Sequence, residues 1–127
     1  MDALQESANL SIKGKDDVAA SVAFIFGRPS VLFPPPTLAY VWTNDSAEVG
    51  KVYIGTRTSS VRYLVLRAGD DPLETWTTEE RDLLADFEKA FGKAPPRNAK
   101  RICFFTDADQ TKEPVTAYYG RVTVQSE

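Results

Sequence analysis

The sequence predicts a mainly β domain, an antiparallel jelly-roll-like β-sandwich with one short helix at about residues 78–91. Three observations predict it. Apolar segments of strand length recur along the chain, punctuated by clusters of Gly, Pro, Asn, Asp and Ser. Strand signals outnumber the helix signal about six to one, with no βαβ alternation. Finally, 127 residues with 43% hydrophobic and 26% charged side chains make one globular domain but not two separate cores. Residues 1–127 therefore read as a single domain, in which 1–16 form a polar, poorly patterned lead-in.

The elements follow in order. Gly14-Lys15-Asp16-Asp17 is a turn entering the first strand, Val18 to Phe26. Neither face of that strand is charged, so it belongs in the middle of a sheet with both sides covered. Gly27-Arg28-Pro29-Ser30 ends it, and Pro34-Pro35-Pro36 forces an extended approach to a second strand, Thr37 to Trp42. A short strand at Val52 to Ile54 and a longer one from Val61 to Leu66 come next, the latter closed by Gly69-Asp70-Asp71-Pro72.

Thr77-x-x-Glu80 has the form of a capping box, with acids near the positive end of the helix dipole. Leu83, Leu84, Phe87, Ala90 and Phe91 then recur at helical spacing. Gly92 suits the position after the last turn, and Pro95-Pro96 forbids continuation. Trp76 and the Phe residues here read as core. Two last strands, Lys100 to Thr106 and Val115 to Val124, flank an acidic turn.

Composition excludes whole classes of function. Lys+Arg 15 against Asp+Glu 18 gives net −3 with both signs scattered, so no basic stripe exists to neutralise phosphates, and nucleic acid is not an expected partner. No apolar run is longer than Val22-Ala23-Phe24-Ile25-Phe26, which is too short to span a bilayer. Acids in Met1-Asp2-Ala3-Leu4-Gln5-Glu6 stand where a signal peptide has a basic region, so the sequence as written reads as cytoplasmic. Cys103 sits in an apolar run and reads as a buried, inert thiol. The chain has no histidine, which removes Ser-His and Cys-His catalysis and His-based zinc sites. An enzyme built on it would have to run on carboxylates, Lys, Tyr or an oxygen-held cation.

The acidic turn Thr106-Asp107-Ala108-Asp109-Gln110-Thr111 is the segment with the most chemistry. Asp-x-Asp-x-Thr after an apolar strand copies the nucleophile motif of haloacid-dehalogenase-type phosphatases. That chemistry needs a parallel sheet and later Lys and acidic partners, and the chain supplies neither. The alternating oxygens suit a calcium ion at Asp107 and Asp109, yet no EF-hand spacing follows. Turn formation, with each Asp bonding its own backbone, is the favoured explanation. A third reading comes from Tyr40 and Trp42, which alternate onto one face with Asn44 continuing it. Together with Arg62, Tyr119, Asp107 and Asp109 they compose a set that can stack on and hydrogen-bond a polar ligand such as a carbohydrate.

Six ordered motifs carry a resemblance: Lys15-Asp16-Asp17-x-Ala19-Ala20, Leu38-Ala39-Tyr40-Val41-Trp42-Thr43-Asn44, Ser60-Val61-Arg62, Phe91-Gly92-x-x-Pro95-Pro96, Thr106 to Thr111, and Ala117-Tyr118-Tyr119-Gly120. Over about residues 8–124 the chain resembles the bacterial domain-of-unknown-function family 3047. Ala108 and Gln110 depart from that family's Thr-Asp-Thr-Asp-Asn-Thr turn, Arg121 stands where it usually has Asp, and Ser21 where its strand motif has Arg. The resemblance implies a jelly roll similar to galactose-binding domains, and no known reaction. Members usually carry a longer N-terminal part, often after an export signal. The resemblance thus implies that the chain starts after a strand the family usually has, as a truncated domain, a shortened gene or a version that completes its sheet through a second copy, with an exported or periplasmic setting if the natural N-terminus is missing. The expected function is a non-catalytic binding module for a polar ligand. A structural, self-associating domain is the alternative, and a carboxylate or metal-dependent hydrolase comes last.

Overall fold

The computed structural model describes residues 10, 20–28, 34–44, 47–56, 58–68, 76–106, 117 and 119–124. Within them the protein is mainly β: strands β1 (Ala20–Ile25), β2 (Thr37–Trp42), β3 (Val52–Ile54), β4 (Val61–Arg67) and β5 (Arg101–Phe105), with one helix, α1 (Leu83–Phe91), before β5. The strands make one sheet in the order β3-β4-β2-β1-β5. No second sheet occurs among the described residues.

The pairings β1–β2, β1–β5 and β3–β4 are antiparallel, as expected for this composition. The fourth is not: β2 and β4 run parallel. The cause is where β3 sits. The chain leaves β2, runs back along β3 at the sheet edge, and returns in β4 between the two, so β4 meets β2 in the same direction. The register shifts between Val41 and Trp42, which brings Trp42 opposite Arg67.

Strand periodicity splits the side chains between two cores. One face carries Phe24, Phe26, Leu38, Tyr40, Leu64 and Leu66, covered by Phe87 and Ala90 of α1. Phe26 meets Phe87 edge-on at 4.6 Å, and Phe91 stacks on Phe87 at 4.4 Å. The other face carries small and branched side chains, Ala23, Ala39, Val41 and Val65, packed with Leu10 and Ala47. β1 is flanked by β2 and β5, the central position its uncharged faces predict.

The helix starts later than its capping-box signature suggests. Asp82 is the N-cap, its carboxylate accepting the Ala85 N–H at 3.1 Å. Glu79 is instead drawn to Arg67 at 2.6 Å, so a tertiary ion pair holds the segment that the local pattern assigns to the first turn. At the other end Gly92 takes φ 76°, and its N–H reaches the Glu88 carbonyl, as expected. Leu84 is 59% exposed and leaves the packed stripe to Leu83, Phe87, Ala90 and Phe91.

Two further expectations change. Cys103 is exposed, because β5 is an edge strand whose five residues all remain open to solvent. Residues 119–124 carry no strand, which removes that part of the expected strand from Val115 to Val124. Among the described residues no helix is long and apolar enough to cross a membrane.

Candidate functional site

Because β1 opposes both neighbours, its first residues lie at the same end of the sheet as the last residues of β2, β4 and β5. Ala20 pairs with Trp42, Ser21 with Phe105, and Trp42 with Arg67. Three of the six ligand candidates gather there. Trp42 is half-buried on the helix-covered face and packs against that core. Asn44, two residues on, is buried, and its carbonyl accepts the Ala47 N–H at 3.3 Å.

Tyr119 comes to the same end, where β1 and β5 pair. Its hydroxyl accepts the Ser21 N–H at 3.3 Å and donates to the Phe105 carbonyl at 2.6 Å, with Thr106 Oγ1 2.9 Å away. It thus clasps the last rung of the β1–β5 ladder, and its ring meets Phe104 edge-on at 5.4 Å.

Arg62 does not join them. It lies near the opposite end of β4, where its guanidinium donates to the Ala90 carbonyl at 3.0 Å and to Ser59 at 2.8 Å, and covers the Phe91 ring at 4.9 Å. A cation there satisfies a helix C-terminus, which accounts for the residue without a ligand. Asp107 and Asp109 lie outside the described residues. Among those that are described, no group of three His, Cys, Asp or Glu could hold a metal ion.

The structure adds two features that local patterns did not disclose. The first is Trp76, read above as core, which is 73% exposed. One edge of its indole lies so near Gly120 that a Cβ there would sit 3.3 Å from the ring. Glycine thus lets an exposed indole rest against backbone next to Tyr119. The signal available in sequence was the Tyr-Gly pair itself, since an isolated Gly beside an aromatic marks close backbone approach.

The second is a buried polar network beneath α1. Tyr40 donates to Asp86 Oδ2 at 2.7 Å, and Arg81 grips both carboxylate oxygens at 3.0 and 2.8 Å. Burial, reinforced by the Asp86 hydrogen bond and charge, pushes the Tyr40 phenol well above its ordinary value. The same carboxylate raises Arg81 further, chiefly through its hydrogen bond. This network joins helix to sheet; its carboxylate is engaged on both oxygens and its phenol stays neutral, so it offers no ready base or nucleophile. On the other face, Ser21 Oγ is buried without a hydrogen-bond partner among the described residues.

With this geometry in place, the six motifs can be set against a family. A model described as "Protein of unknown function (DUF3047)" matches residues 1–123. The chain belongs to that family. No curated protein and no solved structure matches it. In this DUF3047 member two motif segments lie at the same end of one sheet: the β2 motif supplies Trp42 and Asn44 beyond one strand, and the Tyr-Gly motif supplies Tyr119 and Gly120 beside the β1–β5 pair. What such an end can do chemically is stack on an apolar ring face and hydrogen-bond around it.

Proposed function

We propose that this domain is a non-catalytic binding module for a polar ligand, with carbohydrate as its class, and that the ligand sits at the sheet end formed by Trp42, Asn44, Tyr119 and Trp76. The observation that carries the reading is the exposed Trp76 indole seated against Gly120. An indole that most folded chains would bury is kept open beside polar groups, the combination that stacks on the C–H face of a sugar. Thr106, exposed 2.9 Å from the Tyr119 hydroxyl, supplies a polar group at the same end, where Asn44 lies buried. Arg62 is no longer part of the set, and Asp107 and Asp109 enter it only as the continuation of Thr106. The jelly-roll sandwich remains the architecture proposed for the whole domain.

The test is a glycan-array screen followed by titration of the intrinsic tryptophan fluorescence with the best binder. Trp76→Ala should weaken binding about tenfold or more while leaving the melting temperature nearly unchanged. A broad screen without any binder, or full affinity in Trp76→Ala, overturns the reading. Repeating the titration with calcium and with a chelator tests the calcium reading of Asp107 and Asp109 against turn formation. The compartment proposed is the cytoplasm, with export the alternative that the family resemblance carries.

A second reading, self-association, is favoured by a different observation. All five residues of β5 are exposed although three of them are large and apolar, Ile102 at 41%, Phe104 at 45% and Phe105 at 36%. An apolar edge strand left open is a template for another strand.

A further inference from the structure

The hydrogen-bond phase of the sheet says which groups of β5 are free to bond a second chain. Phe26 N–H donates to the Pro36 carbonyl at 2.9 Å, so even-numbered residues of β1 turn their backbone groups toward β2. Odd-numbered ones, Ser21, Ala23 and Ile25, therefore turn toward β5, where they oppose Phe105, Cys103 and Arg101. The Tyr119 hydroxyl held between Ser21 N–H and the Phe105 carbonyl agrees with that phase. Within Arg101–Phe105, alternation then points the N–H and C=O groups of Ile102 and Phe104 away from β1, along an edge that no described strand pairs; ahead of the strand Lys100 N–H turns the other way, to the Ile25 carbonyl at 2.8 Å.

We propose that β5 is a homodimer interface: two copies pair their β5 strands antiparallel about a twofold axis passing between the two Cys103 residues. This rests on the self-association reading and gives it a surface and a register. Only outward-facing groups can bond, so even-numbered residues must face even-numbered residues of the copy. Among twofold registers of that kind, the one centred on Cys103 pairs all five residues of the strand. Ile102 of each copy then hydrogen-bonds Phe104 of the other, joining two five-stranded sheets into one.

Side chains agree with this occupant. Ile102 and Phe104, exposed on the helix-covered side, become cross-strand neighbours and bury each other. The sequence is basic where β5 begins, Lys100-Arg101, and acidic beyond its end, at Asp107 and Asp109. An antiparallel copy sets Lys100 and Arg101 of one strand opposite Thr106 and Phe105 of the other, whereas parallel pairing would set the basic residues of the two copies side by side. Cys103 meets its counterpart in a non-hydrogen-bonded pair, where Cα atoms stand about 4.5 Å apart, within disulfide range.

The test uses the full chain. Sedimentation at micromolar concentration should show a dimer. Brief treatment with the thiol oxidant diamide should convert it to a Cys103-linked dimer, two thiols giving one disulfide as two electrons and two protons pass to diamide. Cys103→Ser should still dimerise but not cross-link. Ile102→Pro removes an outward N–H without touching the β1 ladder, and should raise the dimer dissociation constant about tenfold, since two edge hydrogen bonds are lost per dimer. Its circular dichroism checks that it folds; if it does not, the Cys103 cross-link decides. A monomer throughout overturns both this interface and the self-association reading. A dimer that neither cross-links at Cys103 nor responds to Ile102→Pro overturns the interface and leaves self-association standing on another surface.

Discussion

β2 and β5 are written in similar letters and end in opposite environments. Thr37-Leu-Ala-Tyr-Val-Trp42 is buried along its centre, while Arg101-Ile-Cys-Phe-Phe105 is open throughout. The difference lies in their neighbours. β2 has a strand on each side, α1 packed over Leu38 and Tyr40, and a second core over Ala39 and Val41. β5 has β1 alone. Apolar β-branched and aromatic residues make a segment a strand, but position in the sheet order decides whether that strand is interior. An apolar strand that ends up at an edge is where an interface is most economically built.

That contrast can be broken by substitution. Leu38→Ala in β2 should cost about 2–5 kcal/mol, because a fully buried side chain leaves a cavity, whereas Ile102→Ala in β5 should cost under about 1 kcal/mol in the monomer. Urea unfolding measures both, and equal losses would show that β5 is covered after all. Next in size is Asp86→Ala, expected at about 1.5–3 kcal/mol, since it strips Tyr40 and Arg81 of a charged acceptor under the helix. Loss of less than about 0.5 kcal/mol would remove the network from the account of what fixes α1 on the β2 side.

The smallest effect, about 1 kcal/mol, belongs to Tyr40→Phe. It carries a pH signature as well. Burial and Asp86 favour the neutral phenol, so the folded-state value lies above the unfolded value of about 10. The contribution is complete below about pH 10 and is lost as pH rises beyond it, because the unfolded chain then releases a proton the folded chain retains. Melting temperatures followed into alkali should fall less steeply in Tyr40→Phe than in the natural chain. An identical slope would show that Tyr40 is not the group responsible.

Much of the fold is legible from short-range pattern. The limits of β2 and β3 follow from Pro34-Pro35-Pro36 and from the turn clusters around them, and the end of α1 follows from Gly92. The start of α1 is less legible, because Thr77-x-x-Glu80 and Asp82 are both valid caps and the Arg67–Glu79 pair, made with a distant strand, decides between them. Asp86 did leave a trace: it falls between Leu83 and Ala90 on the packed side of the helix, where a carboxylate needs a buried partner. Its partner Tyr40 lies 46 positions away in sequence, beyond any local signal. The candidate site was read in part for the same reason. Trp42, Asn44 and Tyr119 do collect at one end, but Arg62 is spent on a helix terminus and Trp76 takes the exposed place assigned to none of them.

The sequence by itself determined that the described residues are mainly β with one helix, where most of their strands lie, and to which family the chain belongs. Each depends on residue types acting on their own backbone: proline and glycine as punctuation, alternation and helical spacing as period. Only the tertiary structure decided the parallel meeting of β2 and β4, the openness of β5 and Cys103, and the seating of Trp76 on Gly120. Those depend on which segment arrives beside which, and the hydrophobic effect that drives their arrival is non-directional. It specifies that apolar surface be covered, and leaves the choice of cover to the packing of the whole chain.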